Sequence, residues 1–256
     1  MSDSVELRQR HLQSAKRIVI KVGSSLLAGS PVGQPAAIAD ELASLHRHDI
    51  EAVIVSSGAI ALGLGVLGLG TRPGDLPTLQ AAAAIGQNRL LKNWEHAFSA
   101  HGKHIAQVLL THDDLSNRSR FLNSRHALQA LITAGVVPII NENDTVATEE
   151  IKYGDNDLLA ALVCNLISAD ALIIYTDVDG LHSADPRTGG VRIPVVTDVE
   201  SQARPVANSS SASGLGSGGM ASKVLAAQNA ARYGVPTLVV AGTQRGVLGR
   251  ALAADD

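Results

Sequence analysis

Six short aliphatic runs recur along this chain, at residues 17–22, 52–55, 104–110, 136–140, 171–175 and 237–240, with helix-length stretches between them. Short buried strands alternating with helices predict an α/β fold, a mainly parallel open sheet with helices on both faces. In such a sheet ligands bind beyond the carboxyl ends of the strands. Polar or glycine-rich segments stand at those ends: Gly23-Ser24-Ser25, Ser56-Ser57-Gly58-Ala59, Asn141-Glu142-Asn143-Asp144 and Thr176-Asp177, with one more ahead of Met220. One edge of the sheet therefore gathers the chemistry.

Helices are expected at about residues 35–45, 76–98, 120–134, 156–167 and 220–233. Pro35 suits a first helical position, and Gly135 suits a stop. Residues 1–16 read as a polar lead-in or a first helical turn, and 180–216 as a less regular region rich in Gly, Ser and Pro. No repeat or linker divides the chain.

With 45% hydrophobic residues but only one Trp, three Tyr and two Phe, the core must be Ala, Val, Leu and Ile. That suits strands buried on both faces. A formal net charge of −3 and the lack of a Lys/Arg tract give no electrostatic footprint for nucleic acid. The lone Cys164 excludes an internal disulfide. No apolar signal segment opens the chain, and the Gly-rich run 59–70 is too short for the roughly 20 residues of a membrane span. A soluble, cytoplasmic protein is expected.

The densest polar signal lies between residues 141 and 157, where Glu142, Asp144, Glu149, Glu150, Asp155 and Asp157 face one base, Lys152. Squeezed between a buried strand and a buried helix, this reads as a ligand-binding loop. Asp155 sits where an N-cap belongs. Lys21, one residue before a strand end, is either a strand-edge cation or one aimed into the crevice beside N–H groups that hold phosphate. The Ser56–Ala59 turn is an ordinary helix cap or an anion site. The segment 214–223, with Ser222 and Lys223 in a first helical turn, is a flexible loop or a phosphate cradle. It lacks Walker A spacing. Thr176 and Asp177 suit hydrogen bonds to a nucleotide, since the Asp177-x-Asp179-Gly180 spacing does not fit a calcium loop. Gly63-Leu-Gly65-Val-Leu-Gly68 matches a dinucleotide fingerprint literally, yet it starts several residues past its strand. No pattern of His or Cys supports zinc or a thiol nucleophile.

Together the segments IVIKVGSS (18–25), IVSSGAIALG (54–63), QAAAAIGQNRL (80–90), QVLLTHDDL (107–115), PIINENDTVATEEIKYGDNDLLAALV (138–163), TDVDGL (176–181), ADPR (184–187) and GSGGMASK (216–223) resemble the glutamate 5-kinases of the amino acid kinase superfamily over nearly the whole chain. Pairing SSGAIA with NENDTVAT and GDND is the specific part; the lysine segments mark only the superfamily.

The resemblance implies phosphorylation of the L-glutamate side chain by ATP, accompanied by Mg²⁺, as the first step of proline biosynthesis, with proline as inhibitor. It implies Lys21, Asp157 and Lys223 as catalytic residues. Ser57, Asp144 and Asn156 would bind glutamate. Lys21, Thr176, Asp177, Ser217, Gly218, Gly219, Met220, Ala221, Ser222 and Lys223 would bind ATP, with no protein metal ligands. It further implies one domain over 1–256, with an amino-acid lobe at about 17–167 and a nucleotide lobe at about 168–256. A homo-oligomer is expected, and glutamyl phosphate reductase is a candidate partner. The C-terminal PUA domain of many bacterial members is not expected. Leu181-His182, Ser217 and Ser222 depart mildly from the family pattern, and 200–214 departs more. An acetylglutamate kinase and a non-catalytic amino-acid sensor on the same fold are the alternatives; a dehydrogenase is a distant third.

Overall fold

A computed structural model describes residues 3–30, 32–45, 50–147, 156–185, 188–209 and 219–253. The expected N-cap at Asp155 lies outside them, as do Glu149, Glu150, Lys152, Ser217 and Gly218.

All six expected strands form: β1 (Arg17–Val22), β2 (Glu51–Ser56), β3 (Ile105–Leu110), β4 (Val137–Glu142), β5 (Ala171–Thr176) and, last in the chain, β8 (Thr237–Ala241). They make one sheet in the order β3-β4-β2-β1-β5-β8, and every neighbouring pair is parallel. The chain leaves β1 toward β2 and later returns past it to place β5 on its other side. That reversal puts the crevice at the carboxyl ends of β1, β2 and β5.

Because side chains alternate across a strand, each strand divides its residues between two cores. Ile18, Ile20, Val22, Ile54, Ile139, Ile173 and Tyr175 pack with Ile38, Leu42, Trp94 and Phe98 of the helices Gly33–Leu45 and Leu76–Ser99. Val19, Val53, Val55, Ile140, Leu172 and Ile174 pack on the other face with Leu128, Leu159, Val163 and Ala226 of the helices Arg118–Thr133, Asn156–Ile167 and Met220–Ala231. Continuing the alternation to the strand ends sends Lys21 and Thr176 toward the second set of helices. Ser56 and Asn141 go toward the first.

The literal G-x-G-x-x-G does not form a strand-to-helix turn. Gly63 and Gly65 lie inside the helix Ala59–Val66. A Cβ on Gly63 would run into the backbone of Ala82, and one on Gly86 into the carbonyl of Ala59. These two glycines let the helices Ala59–Val66 and Leu76–Ser99 cross backbone to backbone, which fixes the start of the shorter helix over the sheet edge.

Other differences are local. The lead-in is a ten-residue helix, Asp3–Leu12, with Leu12 buried in the first core. Pro35 is the third rather than the first residue of its helix, still within the turn where no intrahelical N–H partner is needed. The region 180–216 contains a two-residue antiparallel pair, β6 (Leu181–His182) with β7 (Arg192–Ile193). Leu181, Ala203, Ala207 and Val224 hold it against the Met220–Ala231 helix in a small separate cluster. Short strands interrupted by Gly and Ser carry too little period to be seen in sequence.

Candidate active site

One cleft opens at the carboxyl edge, lined among others by Lys21, Ser57, Arg72, Asn141, Glu142, Asp144, Asn156, Thr176, Asp177 and Lys223. Seven of the residues expected to act therefore share a single wall-to-wall space. Asp157 lies directly behind it.

There a carboxylate joins two lysines. Lys21 Nζ is 2.6 Å from Asp157 Oδ1, and Lys223 Nζ is 3.4 Å from Oδ2. Asp157 is fully buried, and the lysines are 5% and 6% exposed. Ser222 donates its hydroxyl to Asp157 Oδ2 at 2.7 Å. Burial pushes the Asp157 carboxyl up, but Lys21, Lys223 and the Ser222 hydrogen bond outweigh it and hold it below the ordinary value. Attraction between buried charges repays their desolvation only with close pairing and added hydrogen bonds. Here one carboxylate holds two ammonium groups at the strand ends.

Helix starts surround these charges. Gly23, Gly58 and Gly219 cap the helices Ser24–Gly29, Ala59–Val66 and Met220–Ala231, and none offers a side-chain cap. Their first N–H groups are thus left for an anion rather than closed by Ser or Asp. Gly58 has φ +102°, a conformation that favours glycine, and Ser57 N–H donates to Val22 O, pinning this turn to β1. Thr176, at the end of β5, donates its hydroxyl to Asp177 Oδ1 at 3.0 Å. Met220 packs its side chain into the small cluster beside β6.

The same cleft carries amides and acids. Asn156 Nδ2 donates to Ser57 Oγ at 2.9 Å and to Asn141 Oδ1 at 2.8 Å. Asn141 Nδ2 donates in turn to Gln87 Oε1 at 2.9 Å. Among the described residues, Asn156 Oδ1 is buried without a hydrogen-bond partner. Burial pushes the Asp144 carboxyl up to about 6, against the pull of Arg72. Trp94 Nε1 donates to Ser56 Oγ at 2.9 Å, fixing the strand end next to Ser57.

Sequence reading missed Arg72, which lines the cleft, and Gln87, which lies outside it and accepts a hydrogen bond from Asn141. Arg72 sits in a Gly- and Pro-rich turn without strand or helix period. Gln87 is one of several polar residues on a long helix, and only the parity of β4 shows that Asn141 must face it. Cys164 is buried in the second core with its thiol pushed up by burial, in keeping with a purely structural residue. Among the described residues, no three His, Cys, Asp or Glu side chains gather as a metal site. No described helix is long and apolar enough to cross a membrane.

A six-stranded parallel sheet with paired lysines and glycine-capped helices at one edge defines a phosphoryl-transfer enzyme, and the chain belongs to the amino acid kinase family, whose model matches residues 16–242. Within that family it falls among the glutamate 5-kinases. It is 45% identical over 256 residues to that of Pelobacter propionicus, covering 98% of this chain and 68% of the relative. It is 49% identical over 254 residues to that of Chromohalobacter salexigens, covering 98% and 67%. The chain thus spans about two thirds of the length of these relatives. The aspartate kinase of Synechocystis shares the fold, with a TM-score of 0.61 at 17% identity over 89% of this chain and 38% of that one.

Proposed function

We propose that this kinase transfers the γ-phosphoryl group of ATP to the side-chain carboxylate of L-glutamate, giving ADP and L-glutamyl 5-phosphate. The observation that carries the reading is one cleft lined by Lys21 and Lys223, with Asp157 joining them behind it, and by Ser57, Asn156 and Asp144.

A glutamate side chain has a pKa near 4.3 and is already ionised at pH 7, so the acceptor needs no general base. An oxygen of that carboxylate attacks the γ-phosphorus, the bond to the bridging oxygen breaks, and its electron pair leaves on ADP. The difficulty is to bring two anions together and stabilise charge spread over the transferring group. Lys21 and Lys223 supply positive charge there. Asp157 fixes their ammonium groups and has no proton to remove. The N–H groups after Gly23, Gly58 and Gly219 receive phosphate and carboxylate oxygens.

Thr176, Asp177 and the segment Ser217, Gly218, Gly219, Met220, Ala221, Ser222 and Lys223 hold ATP, and Mg²⁺ accompanying it would add positive charge against its phosphates. Asp144 and Asn156 Oδ1 accept from the α-ammonium group, Ser57 donates from its hydroxyl, and Arg72 faces the α-carboxylate. Residues 17–167 then act as the amino-acid lobe and 168–256 as the nucleotide lobe. In the cell this is the first step of proline biosynthesis, in the cytoplasm and by a homo-oligomer. Proline competes at the glutamate site, and glutamyl phosphate reductase is the natural recipient of a labile acyl phosphate.

ADP release measured across glutamate, N-acetylglutamate and aspartate, with and without proline, tests the reading. Turnover of glutamate, suppressed by proline, is the expected result. Turnover of N-acetylglutamate but not glutamate would overturn it, because an acetylated nitrogen has no ammonium for Asp144.

A further inference from the structure

Gln87 lies on the long Leu76–Ser99 helix, outside the residues that line the cleft, yet it ends a chain of amides that enters it. The chain runs from Ser57 Oγ through Asn156 and Asn141 to Gln87 Oε1, with donor–acceptor distances of 2.9, 2.8 and 2.9 Å. Asn141 and Asn156 are 2% and 6% exposed.

A carboxamide has one oxygen that only accepts and one nitrogen that only donates. A line of amides therefore has a direction, and each member's orientation sets that of the next. Gln87 presents its oxygen, so Asn141 turns its nitrogen to the helix and its oxygen to Asn156. Asn156 then spends both N–H groups, one on Asn141 and one on Ser57. Its own oxygen is left over, buried and without a hydrogen-bond partner among the described residues. Buried polar atoms without partners are rare enough to need a reason. Here the reason is an incoming donor. Ser57 Oγ, already accepting, must point its hydroxyl proton elsewhere. If the chain ran backwards, Asn156 would offer N–H to the cleft, where an ammonium group cannot use it.

The same helix face grips the acidic loop once more. Gln80, seven residues earlier and so on the same face, donates from Nε2 to Ala147 O at 3.3 Å.

We infer that Gln87 is a positioning residue for the amino-acid substrate: by setting the direction of the Asn141–Asn156 amides, it makes Asn156 Oδ1 the atom that receives the substrate ammonium. This rests on the substrate orientation proposed above. It adds a specificity determinant that touches no substrate atom.

The test compares Gln87→Met, Gln87→Lys and Gln87→Glu in the full chain. Gln87→Met removes the acceptor, and Gln87→Lys replaces it with a donor. Both are expected to raise KM for glutamate roughly tenfold or more, the size expected for a buried polar group left wrongly paired. The kcat and the KM for ATP should stay within about threefold in both. Gln87→Glu still accepts from Asn141 and should recover most of the loss, even if its thermal midpoint matches that of Gln87→Met. An unchanged KM for glutamate in Gln87→Lys overturns the inference, as does a Gln87→Glu enzyme impaired as strongly as Gln87→Met, which would mark a packing role. Absence of glutamate turnover by the unaltered enzyme would instead overturn the substrate reading, and the same comparison is then made on whichever acidic substrate it phosphorylates.

Discussion

The ammonium of Lys21 stands 2.6 Å from Asp157 Oδ1, at the end of the central strand, with the carboxylate fully buried and the lysine nearly so. Neither group is stable there alone, because an unpaired buried charge keeps the desolvation cost and loses the attraction. Asp157→Asn is therefore expected to lower stability by about 3–5 kcal/mol as well as to abolish turnover. The folded-state pKa of Asp157 lies below its unfolded value of 3.8. Its stabilising contribution is thus present above pH 3.8 and is lost as pH falls through the folded value. Acid unfolding of Asp157→Asn, followed by circular dichroism, should lack that part of the slope.

Lys223 reaches the same carboxylate from the first turn of a different helix, at 3.4 Å. Removing one cation that stabilises transferring charge costs about 10²–10³ in kcat. Lys223→Ala should show that loss while still binding glutamate. Trp94 is the single tryptophan, fully buried and hydrogen-bonded to Ser56 beside Ser57, so its emission reports that binding directly. Wild-type activity in Lys223→Ala would refute the assignment.

Asp144 should give the enzyme an acid limb. Burial holds its pKa at about 6 in the free protein, and only the ionised form attracts an ammonium group. The kcat/KM for glutamate should fall about tenfold per pH unit below about 6, and Asp144→Asn should be low and flat across that range. The stability effect has the opposite sign. The folded-state pKa is raised, so folding favours the protonated form, and the contribution of Asp144 weakens as pH rises from 3.8 to about 6. Thermal midpoints should therefore show Asp144→Asn gaining on the wild type at pH 8 and not at pH 4.

Gly86→Ala tests the helix crossing. The added Cβ meets the carbonyl of Ala59, and backbone cannot step aside as a flexible side chain can. Overpacking of this kind costs typically about 1–3 kcal/mol. Because Ala59 follows Gly58 directly, the displaced helix should also raise KM for glutamate. A variant that loses thermal stability with unchanged KM would separate the crossing from the site.

Much of the fold was written into the sequence. Aliphatic runs bounded by Gly, Ser and Asn defined the six strands to within a residue or two, since a strand buried on both faces can contain little else. Their polar ends located the cleft edge, because an α/β sheet exposes its strand ends in one place. The 180–216 region was not legible: two-residue strands and a short helix are stabilised by contact with Val224 and Leu181 rather than by any periodicity of their own. Glycines 63 to 68 spelled a familiar motif, yet packing against Ala82 and Gly86 gave Gly63 its place.

The acidic stretch from 141 to 157 was visible as a concentration of charge, and Lys21 and Lys223 as isolated cations near strand and helix ends. The charge pattern alone did not say which acid meets which lysine; the family resemblance pointed to Asp157, and the structure puts both lysines on it. Asp157 and Asp144 have the same side chain and lie in the same stretch, but one is depressed and the other raised. The difference arises because the first turn of the Asn156–Ile167 helix carries Asp157 between two ammonium groups from distant parts of the chain. Asp144 is half-buried, and its desolvation outweighs the pull of Arg72. Sequence determined the residue types and the edge of the sheet where they gather; charge state and hydrogen-bond direction were decided by the tertiary structure, because both depend on which groups meet across the fold.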